Sequence, residues 1–475
     1  SMASWRILLT ALFVIWFLKT AGYNPIDWIK YFKKIFDNIR SSKFYLSLFV
    51  FLLINILSLI VAEDIVAGVK KILFLANIFM FYILIVNIIK TKKSFLRAIK
   101  ALAIAGGLAI IIGFFQILSV FKYPLYTFWQ FWAENVSAVF YGKNLSELLS
   151  YSNTWFSYYD SAPPTLRLFS IMPDSHSFAM ICIFSAPLFL ILVFCNALIR
   201  EKNTFSTFLK KRNLYAGRQG IKRSGKILKI FFILSILGII LSGSRGAWLS
   251  IIFPLAILFY LFFKKIEPFL SRRVFISLIS FFLLFAISVF YPPVFYKFQS
   301  WQSGQEISSG SLIFFERARS ISDIGEVSNK GRIEIWRETI SSIARHLILG
   351  IGIGNYPLAL DQNISAAKRG SSAHNLYLDI ATETGIPGIL AFLAILYFIL
   401  KKSWMIFRKS PDNLYKFYAL CFSVFLIWIL GYSFFDVTLF NDKVLMFFMV
   451  ELGLLFAIDK IGKNNSNNEV ISSKF

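Results

Sequence analysis

The sequence predicts an all-α fold, a polytopic bundle of transmembrane helices joined on one side by a long, partly helical extracytoplasmic loop. Three observations lead there. Hydrophobic residues make up 57% of the 475 and charged residues only 16%, more apolar side chain than a water-soluble core of this length buries. The apolar residues fall in runs close to the roughly 20 residues that cross a bilayer as a helix. Between the runs lie short basic segments, the pattern by which Lys and Arg set topology.

Taken in order, spans are expected near 5–20, 44–62, 72–90, 97–121, 176–199, 227–242, 247–263, 274–291, 385–400, 415–432 and 442–459. That is about eleven by the bilayer-length rule. The first apolar stretch, Trp5 to Leu18, follows a leading Ser-Met and has no small-residue cleavage site behind it, so a span is expected rather than a signal peptide. Segment 26–39 places Ile26, Ile29, Phe32, Ile35, Phe36 and Ile39 on one helical face with lysines opposite, as an interfacial helix would. Segments 90–100, 200–229, 264–273 and 401–416 are strongly basic and belong in the cytoplasm, which leaves the long connections 122–175 and 292–374 outside. With eleven spans and an inner C-terminus the N-terminus falls outside, while basic segment 24–43 falls inside.

The expected organisation is therefore N-terminal spans over 1–121, an aromatic outer loop 122–175, central spans over 176–291, a large outer loop 292–374, C-terminal spans over 375–460 and a polar inner tail 461–475. A net charge of +25 raises nucleic acid as a partner. Its distribution points instead to membrane lipid headgroups, because the basic residues cluster between apolar runs. Cys182, Cys195 and Cys421 lie inside apolar runs without metal-ligand spacing, so neither a disulfide framework nor a metal site is expected.

The outer loops hold the informative residues. Loop 122–175 contains Tyr126, Trp129, Trp132, Tyr141, Trp155, Tyr158 and Tyr159, rings that serve either as headgroup anchors or as flat faces for sugars. In loop 292–374, Asn329 is expected to cap a helix through His346. Ile333, Trp336, Ile340 and Ile343 recur there at helical spacing, and the helix would bring Arg332 and Arg337 with it.

Four motifs stand out. "LSGSRGAWLS" puts Arg245 in an outer turn between Gly243, Ser244 and Gly246, where little bulk keeps an anion from the backbone and the guanidinium; the plain alternative is an arginine snorkelling to headgroups. "HNLYLDIATETGIPG" begins with His374 and Asn375; Tyr377 lies one turn on, Asp379 and Glu383 share a neighbouring face, and Pro387 with its glycines allows a break. A neutral His374 suits removal of a proton from a hydroxyl, against the alternative of an ordinary interfacial histidine. "GIGIGNYP" at 350–357 has the glycine content of an anion-binding nest. "RLFSIMPDSHSFA" brings Arg167, Asp174 and His176 before a span, and helix capping by Asp174 or Ser175 explains most of it.

The ordered set "GSRGAW", "GRIEIW" with "LGIGIGNYP", then "HN" before "GIPG" resembles the bacterial O-antigen ligase and O-antigen polymerase family over roughly residues 165 to 395. The resemblance implies a GT-C-like, metal- and cofactor-independent glycosyltransferase of the bacterial inner membrane, with its active site on the extracytoplasmic side. Its partners would be an undecaprenyl-pyrophosphate-linked glycan as donor and an acceptor glycan or glycolipid. Carried over by motif, Arg245 and Arg332 would hold the pyrophosphate, with Arg337 and Arg167 as further donor-binding candidates, and His374 would activate the acceptor hydroxyl. Asn375, Tyr377, Asp379, Glu383, Gly243, Ser244, Gly246 and His176 would support them. Members of the family usually show about a dozen spans, one more than the bilayer-length rule finds here. The rival class is a transporter or flippase of lipid-linked glycans, which would be expected to show repeated halves and charge near the midplane.

Overall fold

The structure, a computed structural model, describes residues 4–22, 25–150, 154–159, 162–207, 215–263, 327–360 and 372–472. Six helices among these are long and apolar enough to cross a membrane, within Lys43–Ile60, Ile65–Ile88, Lys92–Lys122, Ser175–Asn196, Leu376–Lys409 and Asn413–Tyr432. The expected spans near 5–20, 227–242, 247–263 and 442–459 also fall on helices, whereas 274–291 lies outside the described residues. Among the described residues the regular structure is helical except for one small hairpin.

Two compact units emerge from the packing. The first comprises residues 1–96, 327–423 and 433–475, the second 97–326 and 424–432. In the first lie α1 (Ser4–Ala21), α2 (Pro25–Ser41), α3 (Lys43–Leu57) and α4 (Ile65–Ile88). In the second lie most of α5 (Lys92–Lys122), α6 (Leu125–Phe131), α7 (Ala138–Tyr141), α8 (Lys143–Ser150), α9 (Ser175–Thr207), α10 (Tyr215–Leu241), α11 (Arg245–Leu249) and α12 (Ile252–Phe263). The chain then supplies α13 (Val327–Arg345), α14 (Leu376–Lys409) and α16 (Asp442–Ser472) to the first unit, and α15 (Asn413–Tyr432) divides between the two.

Small residues set how closely these helices approach. In the first unit α16 packs on α4 at Gly453, where an added Cβ would stand 2.8 Å from Ile85, while Phe44 and Phe456 bring their rings within 4.5 Å. In the second, α9 is buried on nearly every side, as expected of a helix apolar all round. Gly238 of α10 and Gly113 of α5 make room for Cys182 and Phe178 on it.

The aromatic loop is neither all anchor nor all sugar platform. Trp132, Trp155, Phe156 and Phe169 form a buried cluster with Phe128, Leu166 and Val120, and the Trp155 and Phe169 rings stack at 4.3 Å. Tyr123 and Tyr126 are the exposed ones among the tyrosines and tryptophans whose side chains are described there. The loop also contains an antiparallel hairpin, β1 (Phe156–Tyr159) with β2 (Ala162–Leu166). A two-stranded ribbon leaves free edges, which is where the amide-lacking Pro163 and Pro164 are tolerated.

Helix α13 is present but begins before Asn329 and faces its neighbours differently from the expected stripe. Gly331, Ile335, Thr339 and Ser342 are buried, whereas Ile340 is exposed. Ile333, Trp336 and Ile343 of the expected stripe are half-buried beside that face, which is lined by the small residues Gly331, Thr339 and Ser342.

Candidate functional site

Helix α14 opens at the motif that holds His374. Asn375 is its N-cap, its side-chain oxygen accepting from the amides of Tyr377 and Leu378 at 3.0 and 3.2 Å. One residue earlier, His374 takes a left-handed backbone with φ of 48°, which a residue with a Cβ adopts only when its surroundings impose it. The imposition is visible on Ala373, a fully buried residue. Its amide donates to the Asp379 carboxylate at 2.6 Å, and its carbonyl accepts from the Trp336 indole at 2.8 Å. Leu376, after the cap, donates to the Ser433 carbonyl at 2.8 Å.

Trp336 comes from α13, where Ile335 joins Tyr356, Leu360 and Ala373 in a small core. Thr339, one turn on, meets the Tyr356 hydroxyl at 2.7 Å. Arg332 stands on the same helix and is close enough to His374 to disfavour its protonation. Burial lowers the imidazole's proton affinity most, the Asp436 carboxylate opposes that, and Arg332 adds to the lowering. The balance is below the ordinary value, so His374 is neutral near pH 7. Arg337 is exposed on α13, and Tyr377 packs its ring on Phe434 at 4.5 Å.

The "GIPG" break lies two turns further along α14. Gly385 has φ of 70° and ψ of −174°, which interrupts the helix, and Pro387 has no amide to donate. Backbone groups around the break find partners in one loop. Ile386 donates to the Leu347 carbonyl at 2.8 Å, and the Thr382 and Glu383 carbonyls accept from Ile351 and Gly352 at 2.9 and 3.1 Å. The "GIGIGNYP" segment is thus a docking loop, and the nest expected of it is not available. Its amides at 351 and 352 serve the break, and that of Ile353 donates to Ser58. Its glycines are needed for approach, since a Cβ on Gly352 would stand 2.5 Å from that of Ala62. Asn355 then ties the loop to the start of α4, accepting from the Asp64 amide at 2.7 Å.

The two acids of the motif both have partners. Glu383 receives the Lys71 ammonium of α4 at 2.6 Å, with side chains 5% and 28% exposed, and Asp379 holds the Ala373 amide. Lys71 and Asp436 escaped the sequence reading. Lys71 looks like a span-flanking lysine, and Asp436 lies in a short turn with no motif around it; an acid in so apolar a turn is the one signal that points to it.

In the second unit Arg245 begins α11, and the other expected residues gather around the turn before it. Gly243 has φ of 66°, and its carbonyl accepts from Arg167 at 2.5 Å. His176 Nδ1 lies 3.1 Å from the Ser244 hydroxyl and 2.7 Å from that of Tyr432. Asp174 caps α9 as expected, accepting from the Ser177 amide at 2.7 Å. Tyr432 was not singled out, because nothing in the end of an apolar helix marks a hydroxyl that will meet a histidine 256 residues away.

The motif-bearing stretch matches a known family. Residues 230–393 fit the sequence profile described as O-Antigen ligase. That stretch, about a third of the chain, is similar to the O-antigen ligase family. The matched segment includes the Arg245 turn, α13 with Arg332, the docking loop and the His374 motif through the break. A relative in Acinetobacter baylyi (strain ATCC 33305 / BD413 / ADP1), the ComP-specific O-oligosaccharyltransferase, is 22% identical over 237 residues, 49% of this chain and 36% of the relative. The alignment therefore spans little more than a third of that protein's length. The six helices long and apolar enough to cross a membrane among the described residues are those of a multi-pass membrane protein.

Proposed function

We propose that the chain is a membrane glycosyltransferase that moves a glycan from an undecaprenyl-pyrophosphate donor to an acceptor hydroxyl at the outer face of the bacterial inner membrane, with His374 as general base. The observation that carries this reading is the left-handed backbone of a buried histidine whose proton affinity is lowered by burial and by Arg332 and raised by Asp436. Strain at a polar residue in an ordered loop is a mark of function.

In the reaction His374 takes the proton of the acceptor hydroxyl as its oxygen attacks the anomeric carbon. The bond from that carbon to the phosphate oxygen breaks, and the pyrophosphate leaves with the electron pair. Arg332 stabilises the negative charge there, in a site where water competes little. Asp436 stabilises the imidazolium as it forms. The family resemblance gives Arg245 a pyrophosphate role as well, and that role has its own test in donor binding.

Charge distribution in the first unit supports the outer placement. Lys92 pairs with Asp412, Lys402 with Asp459, and Lys460 reaches Asn87, all at the ends of α4, α14 and α16 opposite to Lys71 and Asp379. A basic end belongs in the cytoplasm, and His374 is then outside. The relative's name speaks of oligosaccharide transfer to oxygen on ComP; for this chain the acceptor is a hydroxyl on a glycan or glycolipid.

The test is transfer by purified protein given a lipid-linked donor and a defined acceptor. His374→Ala lowers turnover by about 10²- to 10⁴-fold with donor KM little changed. If donor KM rises and turnover at saturation is kept, the histidine is a ligand and not the base.

A further inference from the structure

The turn before Arg245 contains a serine that does not do what its position asks. Ser244 is the N-cap of α11, where a serine hydroxyl ordinarily accepts from an amide of the first turn; no such bond is present. The hydroxyl instead donates to the Tyr432 oxygen at 3.0 Å. Tyr432 in turn meets His176 Nδ1 at 2.7 Å, and that nitrogen lies 3.1 Å from Ser244, which closes a ring of three polar atoms. Ser244 and Tyr432 are buried, so the ring is shielded from water. With Ser244 donating to the phenol, the phenol's own proton is left for Nδ1, which acts as acceptor.

The rest of the turn is held from other directions. Arg167 donates to the Gly243 carbonyl, Ser242 Oγ accepts from the Ser244 amide at 3.3 Å, and the Trp428 indole donates to the Ala247 carbonyl at 2.8 Å. The ring anchors the Ser244 side chain, one bond from the peptide that leads into Arg245, and so contributes to the direction in which the Arg245 stem leaves.

We propose that the buried Ser244–Tyr432–His176 ring is the positioning device for Arg245, so that Tyr432 and His176 govern donor affinity through that arginine without touching the reacting atoms. The proposal rests on the pyrophosphate role of Arg245. It gives up the local cap of a short helix for a long-range bond, an exchange that only a requirement on geometry explains. It also separates the two histidines that precede spans: His374 is a base, and His176 is an acceptor within a scaffold.

The experiment measures kcat and donor KM for Tyr432→Phe, Ser244→Ala, His176→Asn and His176→Leu, alone and with Arg245→Ala. Losing one hydrogen bond of the ring is expected to raise donor KM about five- to tenfold with kcat at saturating donor within about twofold. His176→Asn keeps a polar atom near the Nδ1 position and should recover most of what His176→Leu loses. In the Arg245→Ala background the Tyr432→Phe effect should vanish, because the two act as one. Additive effects, or a fall in kcat with KM unchanged, would overturn the positioning role. A normal donor KM for Arg245→Ala alone would overturn the pyrophosphate reading, and the proposal with it. Ser244→Ala removes only an oxygen, so it keeps the test open should the tyrosine variant fold poorly.

Discussion

Trp336→Phe tests how His374 is held. The change keeps an aromatic ring against Ala373 and removes the indole N–H that the Ala373 carbonyl accepts at 2.8 Å. That carbonyl belongs to a fully buried residue, and a buried acceptor without its donor costs about 1–3 kcal/mol. The left-handed backbone of the next residue stores about 1–3 kcal/mol of its own. Because the two are of one size, losing the indole bond is enough to let the 373–374 peptide rotate away, with the Asp379 bond to the amide left as its tether. At about 1.4 kcal/mol per tenfold, the competent arrangement becomes about 5- to 150-fold rarer. Single-turnover transfer from a lipid-linked donor by purified protein should slow by that factor, with donor KM unchanged because Arg332 keeps its place on α13. Melting in detergent reports whether the fold is intact. Turnover within about twofold of the parent protein would refute the argument that the strained backbone depends on this bond.

Three further outcomes follow from the same geometry. Burial and Arg332 lower the proton affinity of His374, so the acidic limb of the pH-rate profile should lie below about 6.5. Asp436 raises that affinity, and Asp436→Asn should move the limb to still lower pH; a shift upward would contradict the pairing. Gly350→Ala places a Cβ against the backbone of Thr382 to Thr384 at φ of +64°, and about 1–2 kcal/mol of left-handed strain with about 1–3 of overpacking should depress the melting temperature strongly. An unchanged melting curve would mean that the loop does not dock on the break. Lys71→Met leaves Glu383 buried without its cation, a loss toward the lower end of about 3–5 kcal/mol since the lysine keeps some contact with water. The double change Lys71→Met with Glu383→Gln should regain much of it, and strictly additive losses would show that the pair is not coupled.

Much of the helical layout was legible in the sequence, because insertion of a segment into hydrocarbon depends on the composition of about 20 neighbouring residues and on nothing distant. Local capping is legible at Asp174, which reaches Ser177 three residues on, whereas the Asn375 cap and the start of α13 ahead of Asn329 came from the structure. His374 stands out by its place before an apolar helix with two acids and a break. What only the tertiary structure decided are the partners across the chain. The glycine-rich 350–354 stretch could be read as an anion nest until the break in α14 was seen to consume its amides. Lys71 could be read as a headgroup lysine until it met a glutamate 312 residues away. The inward face of α13 carries Gly331, Thr339 and Ser342 beside Ile335, small and polar residues that apolar periodicity does not count. Hydrogen bonds and ion pairs join specific atoms, and which atoms meet depends on how the helices pack; the apolar runs that build those helices carry no record of it.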